Sequence, residues 1–263
     1  MARRLSKRKQ KRREEYVLKE QNKVDEGIFD TKTMIFLSKF INKGIIAKLN
    51  YPIARGKEAD VYVADPGAAD LVKGMSQVII KFFRVETSSF FKMDEYVIGD
   101  RRFAKRKTKL SKLGIVLWWC KKEFLNLNAA MKAGVRVPVP LMFNGSILAM
   151  SFIGNDGVPA PRLKDCELDD PEGTFDKILS DTARLYKNKL VHADLSEYNI
   201  LMWNGEPYLI DMGQAVVTDH PRAHAFLKRD VINITAYFKR QYGIDRDAET
   251  TYNAIVRKPG TIA

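Results

Sequence analysis

The feature that most constrains this chain is a polar segment followed at a fixed distance by a second aspartate. The segment reads His192-Ala193-Asp194-Leu195-Ser196-Glu197-Tyr198-Asn199, and Ile210-Asp211-Met212-Gly213 begins eleven positions later, at the end of an apolar stretch. Amide and carboxylate oxygens are ligands that Mg²⁺ prefers, and Mg²⁺ bridges phosphate oxygens. The spacing therefore predicts that Asn199 and Asp211 bind Mg²⁺ beside a catalytic carboxylate, Asp194. The alternative is a polar hairpin between two buried strands.

Length and composition exclude several classes of protein. The chain has 263 residues, enough for one large domain or a two-lobed one with a buried core. No apolar run approaches the roughly 20 residues that span a bilayer, and the charged N-terminus is unlike a secretory signal. The two cysteines, Cys120 and Cys166, have neither disulfide-framework nor zinc-site spacing. We expect a protein of the reducing cytoplasm.

The net charge of +13 is concentrated in two clusters. Residues 1–13 carry eight basic side chains and no acidic one, residues 101–112 carry seven and no acidic one, and the rest is close to neutral. Such clusters are typical of contacts with the phosphate backbone of nucleic acids. Neither has the large apolar face of an interfacial helix. The pattern favours contact with a nucleic acid over contact with an anionic membrane surface; a solvated tail and a solvated loop are the alternative.

Hydrophobic periodicity predicts the order of the elements. Helices are predicted at residues 30–49, 115–133, 175–188 and 225–242, strands at 78–83 and 146–153, and two strands joined by a turn at Gly56 over residues 53–63. Residues 84–113 are polar and basic without clean periodicity, which predicts a flexible functional loop. The chain is thus β-rich with one main helix at first and mostly helical afterwards.

This order predicts an α+β, two-lobed, protein-kinase-like fold with a cleft between the lobes. The N-lobe is expected to be small and β-rich, and the C-lobe to be reduced and mostly helical. The predicted divisions are a basic N-terminal tail or helix at 1–27, an N-lobe at 28–153 with the flexible basic loop 84–113 and a hinge near 150–154, and a C-lobe at 154–263.

Lys81 stands in the interior of the predicted strand 78–83, whose other residues are apolar. A lysine there is costly to bury without a partner. We expect it to bind the α- and β-phosphates of a nucleotide and to pair with a carboxylate. Glu123, on the predicted helix 115–133, is the best candidate partner, although the two lysines before it are equally typical of a charged surface.

A turn one strand ahead of Lys81 is expected to cover the phosphates of ATP. It carries a single glycine and reads Arg55-Gly56-Lys57-Glu58-Ala59-Asp60-Val61. Any β-hairpin can contain such a glycine, so the position of the turn is the informative part. Lys57 either reaches a phosphate or is simply exposed.

A hinge is predicted where the strand 146–153 ends, at Met150-Ser151-Phe152-Ile153. Backbone N–H and C=O groups there can bind the edge of an adenine ring, so the side chains need not be polar. Met150, Ser151 and Ile153 therefore complete the predicted ATP-binding set.

Three motifs agree with a known family. They are Gly56-Lys57-Glu58-Ala59-Asp60-Val61-Tyr62, Leu190-Val191-His192-Ala193-Asp194-Leu195-Ser196-Glu197-Tyr198-Asn199 and Ile210-Asp211-Met212-Gly213-Gln214. Together they resemble the RIO family of atypical serine/threonine kinases, and within it the type 1 subgroup. That subgroup's flexible loop is similar to Thr87-Ser88-Ser89-Phe90, Lys92-Met93-Asp94-Glu95-Tyr96 and Gly99-Asp100-Arg101-Arg102-Phe103. The resemblance covers residues 28–242, and the compact length is similar to that of archaeal members.

The resemblance implies a role for each matched residue. Asp194 is the catalytic aspartate, Asn199 and Asp211 are the Mg²⁺ ligands with Mn²⁺ as an alternative ion, and Lys81 is the phosphate lysine with Glu123 as partner. Family members autophosphorylate on serine, use ATP hydrolysis as a switch and act in maturation of the small ribosomal subunit. The implied partners are ATP and pre-ribosomal small-subunit RNA or ribosomal proteins.

The acceptor of autophosphorylation has several candidates. Ser111 is one, and the competing positions are Ser88, Ser89 and Thr108. The family turn usually begins Ser-Thr-Gly, but here Arg55 precedes the glycine and both hydroxyls are missing. The family hinge usually has Glu after Met, and here it is Ser151. We expect nucleotide affinity to differ while backbone contacts are kept.

Two other functional classes fit part of the sequence. A small-molecule phosphotransferase of the aminoglycoside-kinase type shares the H-x-D-x-x-x-x-N loop, but it would need an acidic pocket in a larger C-lobe. A non-catalytic RNA-binding scaffold would bind RNA with a steep salt dependence and ignore ATP. The intact set of Lys81, Asp194, Asn199 and Asp211 favours an enzyme. The phosphoacceptor, the oligomeric state and the choice between phosphorylation and hydrolysis stay open.

Overall fold

The computed structural model describes residues 30–85, 96, 100, 102 and 111–257. The predicted tail 1–27 and most of the predicted loop 84–113 lie outside the described residues, and so do Ser88, Ser89 and Thr108. Within the described ranges the helices are α1 Thr31–Asn42, α2 Lys112–Lys132, α3 Pro171–Lys187, α4 Ala223–Tyr242 and α5 Ala248–Val256. The strands are β1 Ile46–Arg55, β2 Ala59–Pro66, β3 Val78–Phe83, β4 Pro140–Asn144, β5 Ile147–Ser151, β6 Gly154–Asn155, β7 Val158–Pro159, β8 Leu190–Val191, β9 Ile200–Trp203, β10 Glu206–Leu209 and β11 Val216–Val217.

Strands β1 to β5 form one antiparallel sheet in the order β1-β2-β3-β5-β4. Strand β3 lies at its centre, where Lys81 is opposite Val61 of β2 and Leu148 of β5. Central strands are enriched in β-branched and aromatic residues, which fits the sequence Val-Ile-Ile-Lys-Phe-Phe. The predicted strand at 78–83 is therefore present with the same bounds.

Strand β3 has two buried faces, because successive side chains point to opposite sides of a sheet. Val78, Ile80 and Phe82 pack in a core cluster with Leu37 and Phe40 of α1. Residues 79 and 83 belong to another cluster, which contains apolar residues of α2, α3 and α4. Lys81 has the same parity as these two residues, so the pleat directs it toward α2 and away from α1.

Helix α1 is shorter than the helix predicted at residues 30–49. Asp30 caps it by accepting a hydrogen bond from Thr33 N at 2.7 Å, and it ends at Asn42 because Gly44 adopts a left-handed φ of 66°. The chain then enters β1 at Ile46. The apolar residues 45 and 46 were assigned to the helix, but they are buried beneath it at the start of the strand.

Helix α2 connects the sheet to the C-terminal part of the chain. It begins three residues earlier than predicted, because Ser111 caps it and accepts a hydrogen bond from Gly114 N at 3.2 Å. Its buried side chains include Trp119, Glu123 and Leu127, which recur at helical spacing. This stripe places Glu123 among apolar neighbours and beneath strand β3.

The C-terminal part is built from α3, α4 and α5 with two small β-pairings. Strands β9 and β10 form a hairpin, and β8 pairs with β11. The rings of Phe175 and Phe238 stack with centroids 4.4 Å apart, which joins α3 to α4. The hairpin and the β8–β11 pair hold the loop 192–199 on one side and the segment 210–215 on the other. Helix α5 was not predicted.

No helix among the described residues is long and apolar enough to cross a membrane. Cys120 is buried, Cys166 is half-buried, and both are free thiols.

Candidate active site

Lys81 lies between two carboxylates. Its Nζ is 2.9 and 2.8 Å from Oε1 and Oε2 of Glu123, and 3.1 Å from Oδ1 of Asp211. The side chain of Glu123 is 1% exposed and that of Lys81 12%, whereas that of Asp211 is 46% exposed. The central strand, helix α2 and the end of β10 therefore meet at one ammonium group, with Asp211 on the open side.

The charges of this cluster are coupled. Burial alone would lower the pKa of Lys81, but Asp211 and Glu123 outweigh it and raise the pKa above its ordinary value. Burial raises the pKa of Glu123 to about 7, against the opposing effect of the ammonium. The Lys81 charge lowers the pKa of Asp211 below its usual range. Asp211 is therefore a carboxylate at neutral pH and can act as a cation ligand.

The loop between β8 and β9 brings Asp194 and Asn199 together. Asn199 Nδ2 donates to the Asp194 backbone oxygen at 2.8 Å and to its Oδ2 at 3.1 Å. Gln214 Nε2 also donates to Asp194 Oδ2, at 3.2 Å. Burial and the nearby Asp211 charge raise the pKa of Asp194 to about 6. Asp194 is thus a half-buried carboxylate poised near neutral pH, a property typical of a general base.

Helix α4 supports this loop from below. Buried Asp230 accepts hydrogen bonds from Ala193 N at 2.7 Å and Leu195 N at 2.9 Å, on either side of Asp194. Ala193 has a left-handed φ of 64°, a conformation that needs such support in a non-glycine residue. Arg229 donates to the Ala193 carbonyl, and Asn233 Nδ2 donates to Leu195 O at 3.1 Å. The backbone at Asp194 is therefore held by three side chains of one helix.

His192 connects the Asp194 loop to the residue before Asp211. Its Nε2 is 3.1 Å from Ile210 O, and the ring is buried. Burial lowers the pKa of His192 to about 4, so the ring is neutral at physiological pH. The neutral imidazole donates a hydrogen bond from Nε2 to Ile210 O, and this bond fixes the distance between the Asp194 loop and the segment that contains Asp211.

The segment that follows Asp211 is held against α2. Asp211 itself has a left-handed φ of 59°, which turns the chain sharply. Buried Asn126 and Lys122 of α2 donate to backbone oxygens at 212, 213 and 215. A Cβ on Gly213 would lie 2.7 Å from Trp119 Nε1 and 3.2 Å from Glu123 Oε2. Only glycine fits this close approach.

A cavity of about 670 Å³ opens in front of these groups. Its size falls in the range of small-molecule and cofactor sites. The predicted residues that line it are Arg55, Gly56, Lys57, Val61, Lys81, Glu123, Met150, Ser151, Ile153, Asn199 and Asp211. Asp194 lies beside Asn199 at the edge of this set. Ser111 lies at the start of α2 and is not among the lining residues.

The turn over the cavity is anchored by a charged pair that the sequence reasoning did not use. Buried Asp60 accepts two hydrogen bonds from Arg84, at 2.5 Å from Nε and 2.6 Å from Nη2. Arg84 N also donates to Glu58 O at 2.9 Å. Gly56 N donates to Ala59 O at 2.9 Å, which closes the turn. The backbone near Gly56 and Lys57 is therefore tied to the end of β3.

The predicted hinge is partly occupied by internal hydrogen bonds. Ser151 Oγ accepts from Val139 N, Ser151 N donates to Val139 O, and both distances are 2.9 Å. The Ile153 carbonyl accepts from Ala160 N at 2.9 Å. The Ser151 hydroxyl thus fixes the end of β5 to the chain before β4. Met150 is a buried apolar lining residue between β3 and β4.

The donor set fits a hard divalent cation. Asn199 and Asp211 line the same cavity, and the Asn199 amide nitrogen is used by Asp194, which leaves its carbonyl oxygen outside those bonds. Asp211 has one carboxylate oxygen on Lys81 and is ionised. Amide and carboxylate oxygens with room for water and phosphate match the coordination that Mg²⁺ prefers.

Sequence reasoning missed several supporting side chains, namely Lys122, Asn126, Gln214, Arg229, Asp230 and Asn233. Some carried a signal. Asp230 is spaced three or four residues from Phe226, Leu227 and Ile234, on the buried stripe of α4. Asn126 occupies an equivalent position on α2. A polar residue on a buried stripe needs hydrogen-bond partners, and these two find them in the backbone of the loops.

Comparison with known proteins identifies the family. A family model described as the RIO domain matches residues 60–251. The chain belongs to the RIO kinase family. It is 35% identical over 261 residues to the RIO-type serine/threonine-protein kinase Rio1 of Haloferax volcanii, covering 98% of this chain and 87% of that protein. It is 41% identical to Rio1 of Thermoplasma acidophilum, covering 71% of this chain and 97% of that one.

Solved RIO structures share the fold. The Rio2 kinase-ADP/Mg²⁺-phosphoaspartate complex from Chaetomium thermophilum superposes with a TM-score of 0.64 at 22% identity, over 85% of this chain and 66% of that one. Some relatives are longer, and this chain spans 37% of human RIO1, to which it is 37% identical. The predicted RIO family and the α+β kinase-like fold are both confirmed.

Proposed function

We propose that this chain is an Mg²⁺- and ATP-dependent RIO-type serine kinase and ATPase that acts in maturation of the small ribosomal subunit. The observation that carries the proposal is Lys81 held between Glu123 and Asp211 at a cavity that Asn199 also lines. Each of these residues comes from a different element. Phosphoryl transfer needs positioning and charge stabilisation above all, and this constellation can supply both.

Each residue has a distinct role in the proposal. Lys81 binds phosphate oxygens of the nucleotide, and Glu123 keeps the ammonium in place. Asn199 and Asp211 hold the cation, for which Mn²⁺ can substitute. Mg²⁺, when bound, neutralises charge on the phosphate oxygens during transfer. Asp194 accepts the proton of the attacking serine hydroxyl or water, for which its pKa of about 6 is well suited.

The adenine is proposed to lie at the apolar end of the cavity, near Val61, Met150 and Ile153. The exposed Arg55 and Lys57 extend from the β1–β2 turn at the cavity wall. We propose that they contact the phosphates in place of the hydroxyls missing from this turn. The backbone near Ser151 and Ile153 supplies fewer free groups than expected, since Ser151 N and the Ile153 carbonyl both bond within the protein.

A serine acceptor is available at the N-terminus of α2. Ser111 is exposed, and its Oγ accepts from Gly114 N. A phosphate on this oxygen would lie among the free N–H groups of the helix start, which favour negative charge. We propose Ser111 as an autophosphorylation site.

The partner is proposed to be the precursor of the small ribosomal subunit, in the cytoplasm. The support is the two basic clusters at 1–13 and 101–112, whose spacing along the chain gives two contacts for an RNA backbone. Binding that depends mainly on phosphate contacts should weaken steeply with salt.

The deciding experiment is ATP consumption with Mg²⁺, alone and with small-subunit precursors, for the wild type, Asp194→Ala and Asp211→Ala. Asp245→Ala is the matched control, because Asp245 forms an exposed ion pair with Lys239. Turnover that needs both active-site aspartates and rises with the particles supports the proposal. Turnover raised only by a small-molecule acceptor would indicate a small-molecule phosphotransferase. Particle binding without turnover or nucleotide binding would indicate a scaffold.

A further inference from the structure

Asn126 uses its whole side-chain amide in buried hydrogen bonds. It is 0% exposed. Its Nδ2 donates to Met212 O at 2.7 Å and to Ala215 O at 2.9 Å, and its Oδ1 accepts from Arg102 Nη1 at 2.8 Å. The two donated bonds reach the segment immediately after Asp211. The accepted bond reaches a residue of the basic cluster 101–112.

Lys122 acts on the same segment from one helical turn earlier. Its buried Nζ donates to Gly213 O at 2.6 Å and Ala215 O at 2.7 Å, and it lies 5.0 Å from the centroid of the Trp119 ring. Residues four apart on a helix project side by side. Lys122 and Asn126 therefore form one donor surface for three backbone oxygens that follow Asp211.

Arg102, which donates to Asn126, is itself held by the carboxylate of Asp100. Asp100, 1% exposed, accepts from Arg102 Nε at 3.0 Å to Oδ1 and from Nη2 at 2.6 Å to Oδ2. Arg102 N also donates to Asp100 Oδ1 at 3.0 Å. This fork sets the plane of the guanidinium, so that Nη1 faces Asn126.

We propose that Asn126 is a positioning residue for the metal-binding loop and that Asp100 and Arg102 set its orientation. An amide side chain can present either its oxygen or its nitrogen to a neighbour. Because Arg102 can only donate, it takes the Asn126 oxygen and turns the NH₂ group toward the carbonyls at 212 and 215. The Asp211 backbone is thereby placed by Asn126 and Arg102, neither of which lines the cavity.

The inference rests on the proposed function only in taking Asp211 as a cation ligand. The variants are Asn126→Ala, Arg102→Ala and Arg102→Lys. The matched control is Asn128→Ala, which removes an amide of the same helix whose Nδ2 donates to Phe124 O at 2.9 Å. Should Asn126→Ala fail to fold, the Arg102 variants carry the test, since that side chain is 27% exposed.

Two readouts separate positioning from loss of structure. The first is the Mg²⁺ concentration for half-maximal ATP turnover, beside ADP binding in EDTA. We expect Asn126→Ala to raise this concentration about tenfold, as the loss of ordinary hydrogen bonds implies, with metal-free ADP binding within about twofold of wild type. Arg102→Ala should raise it about threefold and Arg102→Lys less, because the lysine ammonium can still donate a hydrogen bond although it lacks the guanidinium fork. Equal values in Asn126→Ala and Asn128→Ala would overturn the inference.

The second readout is hydrogen exchange of the amides at 212–216 in protein without nucleotide or metal. Asn126→Ala and Arg102→Ala should speed this exchange, while Asn128→Ala leaves it at the wild-type rate. This result does not depend on turnover. If wild-type turnover proved independent of Mg²⁺ or of Asp211, the proposed function would fail, and the exchange rates alone would still decide the positioning role. Unchanged exchange in both Asn126→Ala and Arg102→Ala would refute it.

Discussion

Lys81 and Asp211 are 130 positions apart in the sequence, and their side-chain atoms Nζ and Oδ1 are 3.1 Å apart in the fold. Lys81→Met removes the charge that both Asp211 and Glu123 face. We expect turnover to fall at least about 100-fold. The free energy of unfolding should fall by about 3 kcal/mol at pH 8, because the buried Glu123 must either keep its charge without a partner or take up a proton. Denaturant titration measures this, and the loss should shrink toward pH 6, because protonation of Glu123 costs less there.

The double variant Lys81→Met/Glu123→Gln separates these two effects. Replacing Glu123 by a neutral isostere removes the unpaired charge, so stability should return toward the wild-type value while turnover stays low. Recovery of turnover would show that the ammonium is dispensable, which contradicts the role assigned to Lys81.

The pH dependence of turnover should follow Asp194. Its pKa is raised to about 6, and the ionised form is the proton acceptor, so kcat/KM should rise with pH through about 6 and level off above it. Asp194→Asn should be slow and should lose the step near pH 6, which leaves only the dependence on Glu123, whose pKa is about 7. His192, with a pKa of about 4, adds no second step in this range. A step near pH 6 that persists unchanged in Asp194→Asn would assign the base elsewhere.

Ionisation of Asp194 should lower the stability of the fold, whereas ionisation of a carboxylate with a lowered pKa raises it. Its pKa is higher in the folded protein than the ordinary value of 3.8. The folded state therefore holds its proton more tightly, and ionisation costs stability as the pH rises from about 4 through 6. Asp194→Asn should unfold at a slightly higher temperature than wild type at pH 7 and at the same temperature near pH 4. Thermal scans at the two pH values measure the difference.

Gly213→Ala should impair the cation site more than the fold. The added Cβ would meet Trp119 Nε1 at 2.7 Å and Glu123 Oε2 at 3.2 Å, so the segment after Asp211 must move away from α2. We expect the Mg²⁺ requirement of turnover to rise about tenfold, with about 1–3 kcal/mol lost in stability. Adding Trp119→Phe, which removes the indole nitrogen, should recover part of both. No recovery would mean that the ring is not the obstacle.

Asp230→Asn should loosen the loop that carries Asp194. Asparagine offers one acceptor and one NH₂ group, and the NH₂ group would face the N–H of Ala193 or Leu195. We expect a loss of about 3 kcal/mol in the free energy of unfolding and a strong fall in kcat with little change in KM for ATP. Asn233→Ala is the comparison variant. It removes one bond to Leu195 O and should cost about 1 kcal/mol.

The Ser111 hydroxyl has two roles, as the N-cap of helix α2 and as the proposed phosphate acceptor, and variants can separate them. Ser111→Ala removes both and should cost about 1 kcal/mol in stability. Ser111→Asn keeps a capping oxygen but has no hydroxyl, so it should fold as stably as wild type and incorporate no phosphate at this position. Mass spectrometry after incubation with ATP gives the modified residue. Phosphate at Ser88, Ser89 or Thr108 in the wild type would assign the acceptor to those positions.

Sequence reasoning selected residues that the fold brings to one cavity, because these residues follow local rules. A lysine inside an apolar strand, and an asparagine and two aspartates at fixed spacing around short strands, are visible without knowing any long-range contact. Lys81, Glu123, Asn199 and Asp211 consequently line one cavity as expected. The bounds of β3 and the end of α4 at Tyr242 were also predicted.

The side chains that support the site loops could not be predicted from local sequence rules. Asp230 and Asn126 act on backbone atoms that are distant in sequence, and backbone atoms leave no residue-specific pattern. The predicted helix 30–49 was wrong beyond Asn42, because the buried residues 45 and 46 continue an apolar pattern that fits a helix as well as a strand. The left-handed turn at Gly44 ends the helix and places residue 46 in a strand.

Strand β3 is buried on both faces, and this limits which insertions and deletions it can tolerate. Val78, Ile80 and Phe82 pack toward α1, and Lys81 points the other way. A single-residue insertion or deletion on the N-terminal side of Lys81 within the strand would place the ammonium among those apolar side chains and an apolar group beside Glu123. Only a change of two residues would preserve the alternation. Spacing in this strand is therefore restricted by a core whose residues do not line the cavity.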